Sequence, residues 1–357
     1  MRHAGVAVVV VAAAVLGGCT FSDQGSVTAK APPGGVLLKG AGATFPSLLY
    51  NRWFAIYQGS HGKTAIAYDA VGSGEGVRRF IGSGVKPEEA VDFGASDAAM
   101  TDEQMARVPA GVQLLPVTAG SVVLAYNLPG FEGELRLSRK AYAGVFSGRI
   151  KNWNDRLIVA TNPKAKLLKI TIATVVRQDG SGTTYAFTKH LDAIDETWRS
   201  RYGAATLVDW PGNAMRATGN EGVAGLIKHS EGSIGYVNYE FARKIGLPMA
   251  TLENKEGNYV RPSVQSAAAA LASAQLPGNL RAFVPDPAGR DSYPIVTLTW
   301  ILLRKDYGDA AKARALRELL GWCLQDGQKY APELNYIPLP ADVVAKALPA
   351  LASVKPE

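Results

Sequence analysis

Hydrophobic and polar positions fall into two kinds of segment that follow each other in turn along the chain. Short apolar or alternating runs, which are typical of buried strands, stand at 35–40, 63–70, 90–97, 169–175 and 232–237. Apolar residues at helical spacing predict helices at 48–57, 138–146, 185–191, 223–227, 239–245, 263–274, 310–323 and 341–348. This alternation of strands and helices predicts an α/β fold.

Two apolar runs are longer than the others. Residues 112–127 and 293–303 are each long enough to pass from one domain into another. The length of the chain is also sufficient for two hydrophobic cores. We therefore predict one lobe formed by 36–120 together with 297–350, and a second lobe formed by 121–296.

The first part of the chain has the pattern of an export signal. A short basic start is followed by an apolar run at 6–16, which is too short to cross a bilayer. The sequence Leu16-Gly17-Gly18-Cys19 resembles the lipobox of bacterial lipoproteins, in which the cysteine carries the lipid. An ordinary cleaved signal with a chance cysteine is the alternative. We predict a signal peptide at 1–19 ending at a lipidated Cys19, a flexible tether at 20–35, and a lipid-anchored protein on the periplasmic or cell-surface side of the membrane.

Charge and cysteine content narrow the possible classes of protein. The formal net charge is +7, but the Lys and Arg residues are scattered, so we expect no nucleic-acid partner. A mild positive charge is compatible with a small anionic ligand. Cys323 is the only cysteine besides Cys19 and lies in the apolar segment 319–324, so we expect it to be a buried core residue rather than half of a disulfide.

Three strand-to-helix corners combine glycine with serine or threonine, at 42–45, 72–74 and 180–183. Glycine lets the backbone approach a ligand closely, and the first N–H groups of a helix are unpaired and lie at its positive end. Arg177 adds a planar cation suited to oxyanions. Ligands of open α/β sheets bind outside the carboxyl ends of strands, so these corners predict a small tetrahedral anion between two lobes. At the third corner the alternative is an ordinary turn with Ser181 as a helix cap.

Several motifs resemble those of the PstS family, the phosphate-binding proteins of bacterial phosphate ABC transporters. The resemblance covers about residues 36–350 and rests on the segments at 40–46, 91–97, 150–153, 177–183, 219–222 and 232–237. It implies a two-lobed periplasmic-binding-protein fold of type II with two hinge-crossing strands. It also implies capture of inorganic phosphate and its delivery to the permease and ATPase subunits of an ABC transporter.

The same resemblance implies a set of ligand contacts. By position in the motifs, these are Thr44, Phe45, Ser73, Asp97, Arg177, Ser181, Gly182 and Thr183. Asp179 is expected to steady Arg177. The chain departs from the family pattern at 74–76, at Val176 and at Gln178, without losing a contact; the missing cation beside Arg177 is expected to alter the local field.

Asp97 places an acid beside an anion, which suits one class of ligand. Hydrogen phosphate can donate its proton to a carboxylate, whereas sulfate carries no proton at neutral pH and would be repelled. Asp97 as a helix cap before Thr101 is the alternative for this residue. For the protein as a whole, the alternative is a binding protein for another tetrahedral oxyanion, such as sulfate or molybdate.

An enzyme is the remaining class. Ser181 as the nucleophile of a phosphatase would need a base, usually histidine. None of His3, His61, His190 and His229 stands in a recognisable motif, and Ser181 does not lie in a Gly-x-Ser-x-Gly elbow. The sequence contains no metal-type cluster of His, Cys and Asp. We therefore expect no catalytic residue, metal or cofactor.

Overall fold

The computed structural model describes residues 30–272 and 276–355. The predicted signal peptide with Cys19, and tether residues 20–29, lie outside the described residues. No helix in the described ranges is long and apolar enough to cross a membrane.

Strands occur where the sequence predicts them and at four further places. The predicted runs form β1, β2, β3, β4, β6, β8 and β11, while β5, β7, β9 and β10 are strands of only two or three residues. The bounds are β1 Val36–Gly42, β2 Thr64–Asp69, β3 Phe93–Ser96, β4 Val112–Asn127, β5 Arg136–Leu137, β6 Ala173–Arg177, β7 Met215–Ala217, β8 Ser233–Asn238, β9 Thr251–Glu253, β10 Tyr259–Val260 and β11 Val296–Arg304.

Helices follow most of the strands, as the alternation predicts. Several of them begin at side-chain caps: for example, Thr101 forms a capping box with Gln104, and Ser138 accepts from the N–H of Ala141. The bounds are α1 Ser47–Ser60, α2 Ser73–Ile81, α3 Asp102–Ala106, α4 Arg139–Phe146, α5 Arg156–Val159, α6 Gly182–Ile194, α7 Glu196–Arg201, α8 Gly219–His229, α9 Tyr239–Lys244, α10 Val264–Ala272, α11 Ala310–Leu324 and α12 Ala341–Ala352.

One mixed sheet of eight strands organises the described residues, in the order β2-β1-β3-β11-β4-β8-β6-β7. At one end β1 pairs in parallel with β2 and β3, and at the other β6 pairs in parallel with β7 and β8. Between these halves, β4 and β11 run antiparallel to each other and to their neighbours. The first part of β4 pairs with β11 and its last six residues pair with β8, so this strand belongs to both halves. Such a strand is buried on both faces, which explains its nearly continuous apolar sequence.

Two hydrophobic cores flank this crossing. One contains buried residues from Leu38 to Ala119 and most of those after Val296; the other contains residues from Val122 to Val260, with Tyr293 and Ile295. Helix α10 and the segment after it lie between the two crossings in sequence but pack in the first core. Cys323 is free and buried in the first core, as its apolar segment predicts.

Candidate functional site

The glycine-containing corners meet between the two cores. The N–H of Gly74, at the start of α2, donates to the carbonyl of Gly180, before α6, over 2.8 Å. A β-carbon placed on Gly182 would lie 2.5 Å from Cβ of Asp97 and 2.7 Å from the hydroxyl oxygen of Ser73. Only glycine allows the two backbones to approach this closely. The structure therefore brings Ser73, Asp97 and Gly182 together, although they are distant in sequence.

Arg177 ends β6 and is held by a carboxylate. Its Nε donates to Asp179 Oδ1 over 2.7 Å, and its Nη2 donates to Asp179 Oδ2. Its Nη1 is buried and has no hydrogen-bond partner among the described residues. Because buried donors are nearly always paired, this atom is available to an acceptor that the chain itself does not supply.

Asp179 is the partner that orients Arg177. Its Oδ1 also accepts from the N–H of Gly219 over 3.1 Å. Burial alone would raise the pKa of Asp179, but the hydrogen bonds and charge of Arg177, with the Gly219 N–H, outweigh burial and lower it. Asp179 is therefore a carboxylate, and two hydrogen bonds join it to Arg177.

Asp97 follows the last residue of β3 and is 2 % exposed. Its backbone N–H donates to the Ser73 hydroxyl over 3.2 Å, and its Oδ1 has no partner within residues 30–272 and 276–355. Burial raises the pKa of Asp97 to about 7, against the opposing effects of the Thr299 hydroxyl and the Arg177 charge. The cap of α3 is Thr101, so capping that helix does not account for Asp97.

Ser181 is the cap of α6. Its hydroxyl oxygen accepts from the N–H of Thr184 over 3.1 Å, and its own N–H donates to the carbonyl of Thr206. This is the cap that the alternative interpretation of the corner predicts. Capping uses the Ser181 oxygen as an acceptor and leaves its proton as a donor. The N–H groups of Gly182 and Thr183, in the first turn of α6, have no helical carbonyl to which they can donate.

Two asparagines complete the site, and the sequence analysis did not select either as a contact. The Thr183 hydroxyl donates to Asn238 Oδ1 over 2.7 Å, and Asn220 Nδ2 donates to Thr44 Oγ1 over 3.0 Å. Both positions had a signal in the sequence: Asn220 stands in a glycine-containing helix start, and Asn238 ends a buried strand. Phe45 is fully buried, and its carbonyl accepts from the Tyr336 hydroxyl over 2.6 Å.

The surroundings of Ser181 do not form a hydrolase triad. His190 is buried, and its ring lies between the Tyr142 hydroxyl and the Pro285 carbonyl, at 2.8 and 2.6 Å. Burial lowers the pKa of His190 to about 4, against a smaller opposing effect of the Pro285 carbonyl. In the described part of the chain, no group of three or more His, Cys, Asp or Glu side chains is placed to hold a metal ion.

Known proteins resemble this chain over most of its length. A family model described as PBP superfamily domain matches residues 25–326. The Phosphate-binding protein PstS of Xylella fastidiosa strain Temecula1 is 36% identical over 313 residues, which cover 87% of this chain and 83% of the relative. The protein of the same name from Haemophilus influenzae is 35% identical over 333 residues, which cover 92% of this chain and 93% of the relative.

Solved structures agree on the fold. A periplasmic phosphate-binding protein, PfluDING, solved with phosphate, matches with a TM-score of 0.72 at 22% identity, over 87% of this chain and 92% of that one. A phosphate-binding protein from Stenotrophomonas maltophilia matches with a TM-score of 0.68 at 20% identity, over 88% and 93% of the two chains. The predicted two-lobed fold of type II is thereby confirmed.

Proposed function

The chain belongs to the PstS family of phosphate-binding proteins, and on that basis we propose that it captures inorganic phosphate between its lobes and delivers it to an ABC transporter. Its partners in this role are the permease and ATPase subunits in the membrane. The relatives that carry the PstS name are phosphate-binding proteins, which supports a binding role rather than catalysis.

The proposed ligand contacts surround the place where the corners meet. They are Thr44, Phe45, Ser73, Asp97, Arg177, Ser181, Gly182 and Thr183, with Asp179 behind Arg177. The observation that carries this assignment is the pair of unpartnered atoms Arg177 Nη1 and Asp97 Oδ1, both buried and neither bonded to any described residue. A buried donor and a buried acceptor at one site suit a ligand that both accepts and donates hydrogen bonds.

Hydrogen phosphate is such a ligand. Its oxygens accept from Arg177 and from the N–H groups at the start of α6, which replace the hydration that a dianion loses. Its proton is donated to the carboxylate of Asp97. Sulfate offers the same oxygens but no proton, so the buried carboxylate repels it.

Closure of two lobes is part of the proposal. We assign 36–120 with 297–350 to one lobe and 121–296 to the other, apart from α10 and the segment after it, which pack in the first core. The bond between Gly74 and Gly180 joins corners from both ranges, which is expected of a closed form. Phosphate contacts groups on both sides and therefore favours the closed form over an open one.

The location of the protein follows from the start of the chain. We propose that residues 1–19 are a signal peptide, that Cys19 is lipidated, and that 20–35 tether the lobes to the membrane on its extracytoplasmic side. The resemblance of residues 16–19 to a lipobox supports this part of the proposal. The structural neighbour PfluDING is named a periplasmic phosphate-binding protein, which is compatible with an extracytoplasmic location.

Calorimetry of the purified protein tests the proposed function. We expect saturable binding of one phosphate or arsenate per chain, and at least tenfold weaker binding of sulfate and molybdate, a difference of about 1.4 kcal/mol or more. Tighter binding of sulfate or molybdate would replace phosphate by that anion as the ligand. Binding of none of the four would contradict an oxyanion site.

A further inference from the structure

Asn220 occupies a position between the two sides of the site. It is the second residue of α8, a helix that packs in the second core, and the residue is 1 % exposed. The preceding Gly219 has φ +67°, a conformation that favours glycine, and its N–H is held by Asp179. The start of α8 is therefore fixed by the same carboxylate that orients Arg177.

The orientation of the Asn220 amide is determined by its partners. Its Oδ1 accepts from the backbone N–H of Asn238 over 3.0 Å, and an N–H can only donate. The other end of the amide must therefore be the NH₂ group. That group donates to the hydroxyl oxygens of Thr44, at 3.0 Å, and Thr183, at 3.4 Å.

This arrangement gives the two threonine hydroxyls different roles. The Thr183 hydroxyl donates to Asn238 Oδ1, so its proton is already used. The Thr44 oxygen accepts from both the backbone N–H and the side-chain NH₂ of Asn220. Its proton has no acceptor among the described residues, and with the oxygen occupied by two donors it can only be offered to a further acceptor.

Thr44 and Asn220 come from opposite sides of the closed cleft. Thr44 follows β1, which belongs to the first core, whereas α8 belongs to the second. The bond between them can form only when the two sides are together. Closure therefore both joins the lobes through Asn220 and turns the Thr44 hydroxyl into a donor.

We propose that Asn220 is a positioning residue that makes the Thr44 hydroxyl a hydrogen-bond donor to the bound anion when the lobes close. The proposal rests on the proposed function, because it requires an anion in the cleft. It predicts that the contribution of Asn220 to affinity passes through Thr44. Thr183, by contrast, contributes its backbone N–H, since its hydroxyl proton goes to Asn238.

A double-mutant cycle tests this dependence. Phosphate dissociation constants are measured by calorimetry for the wild type, Asn220→Ala, Thr44→Val and the double variant. Each single variant is expected to bind at least about tenfold more weakly, the effect of one hydrogen bond to a charged group. The loss in the double variant is expected to be smaller than the product of the single losses by more than about twofold, the usual scatter of independent sites.

Two further variants support this test: one is a control for general loss of stability, and the other replaces Asn220→Ala if that variant does not fold. Asn254→Ala removes another fully buried amide of the second side, whose NH₂ donates to the carbonyls of residues 289, 290 and 292. It is expected to lower the melting temperature without weakening phosphate binding more than about twofold. Asn220→Leu, similar in shape to asparagine, replaces Asn220→Ala in the cycle if the alanine variant does not fold.

The outcomes separate this proposal from the proposed function. The role of Asn220 alone would be overturned if the affinity loss of the double variant equalled the product of the two single losses to within about twofold. It would also be overturned if an Asn220 variant bound phosphate as the wild type does. Failure of the wild type to bind phosphate would overturn the proposed function, and this inference with it.

Discussion

The N–H of Gly74 donates to the carbonyl of Gly180 over 2.8 Å, and this bond joins the start of α2 to the corner before α6. The first residue belongs to the side of the sheet built on β1, and the second to the side built on β6. The two backbones are so close that a β-carbon on Gly74 would lie 3.0 Å from Cα of Gly180. In the proposed two-lobed arrangement this contact belongs to the closed form, and its glycines are the places where closure can be tested.

Gly182→Ala is expected to hinder closure. The added methyl group would lie 2.5 Å from Cβ of Asp97, so the two sides must move apart or the contact must be strained. We expect a cost on the order of 1–3 kcal/mol, which weakens phosphate binding about fivefold or more. Small-angle scattering should show the radius of gyration of the wild type decreasing with phosphate, and a smaller decrease for the variant.

Gly225→Ala is the matched control for this prediction. It is also a helical glycine, and a β-carbon there would meet no described atom within 4 Å. It should bind phosphate as the wild type does. A wild-type radius of gyration that does not change at saturating phosphate would argue for a rigid site on one lobe.

Glu240→Gln is expected to remove a pH-dependent loss of stability. Glu240 is buried at the start of α9, and neither carboxylate oxygen has a partner in the described part of the chain. Burial, and then the charge of Asp97, raise the pKa of Glu240 well above 4.5. A β-carbon at Gly120 on β4 would lie 3.8 Å from Glu240 Oε2, so this acid lies beside the crossing strand.

The sign of the effect follows from proton binding. Below about pH 4.5 the Glu240 carboxyl is protonated in both the folded and the unfolded chain, and its contribution to the free energy of unfolding is fully present. As the pH rises, the unfolded chain releases the proton and the folded chain keeps it, so stability falls by about 1.4 kcal/mol per pH unit until the folded pKa is reached. Urea unfolding between pH 5 and 8 should give a steeper fall for the wild type than for Glu240→Gln. Glu231→Gln, at an exposed position, should keep the wild-type slope, and an equal slope in all three proteins would show that Glu240 ionises freely when folded.

Cys19→Ser should abolish the lipid anchor, because thioether lipidation requires the thiol. Metabolic labelling with a fatty acid should mark the wild type and not the variant. Cys323→Ser, which alters the buried free cysteine, should keep the label. Unchanged labelling of the Cys19 variant would contradict the predicted lipobox.

Sequence periodicity predicted the elements that are long enough to show a hydrophobic pattern of their own. Strand β4 is a continuous apolar run because successive side chains, which point to opposite faces of the sheet, are both buried. The pair β9 and β10 could not be predicted in this way. These strands consist of only two or three residues; β10 pairs with the nearby β9, and β9 pairs also with the distant β5.

The same contrast applies to the site. Arg177 and Asp97 could be selected because a charge at the carboxyl end of a strand, beside glycines, suggests a ligand. Asn220 and Asn238 could not be distinguished from ordinary helix caps, since asparagine is favoured there for local reasons. Glu240 stands in a segment with Arg243 and Lys244 that resembles a solvated helix face, and only the packing of α9 against β4 buries it.

The central claim is that Asp97 selects phosphate through the ligand's proton, and titration of phosphate and sulfate at pH 8 tests it most directly. At that pH Asp97, whose pKa burial raises to about 7, is mainly a carboxylate in the empty protein. Asp97→Asn removes the charge that repels sulfate while keeping a hydrogen-bonding group. We expect phosphate binding to weaken less than about tenfold and the phosphate-to-sulfate preference to collapse, whereas Arg177→Ala should weaken both anions by about tenfold or more and keep the preference. An Asp97→Asn protein that discriminates between the two anions as strongly as the wild type would contradict the account.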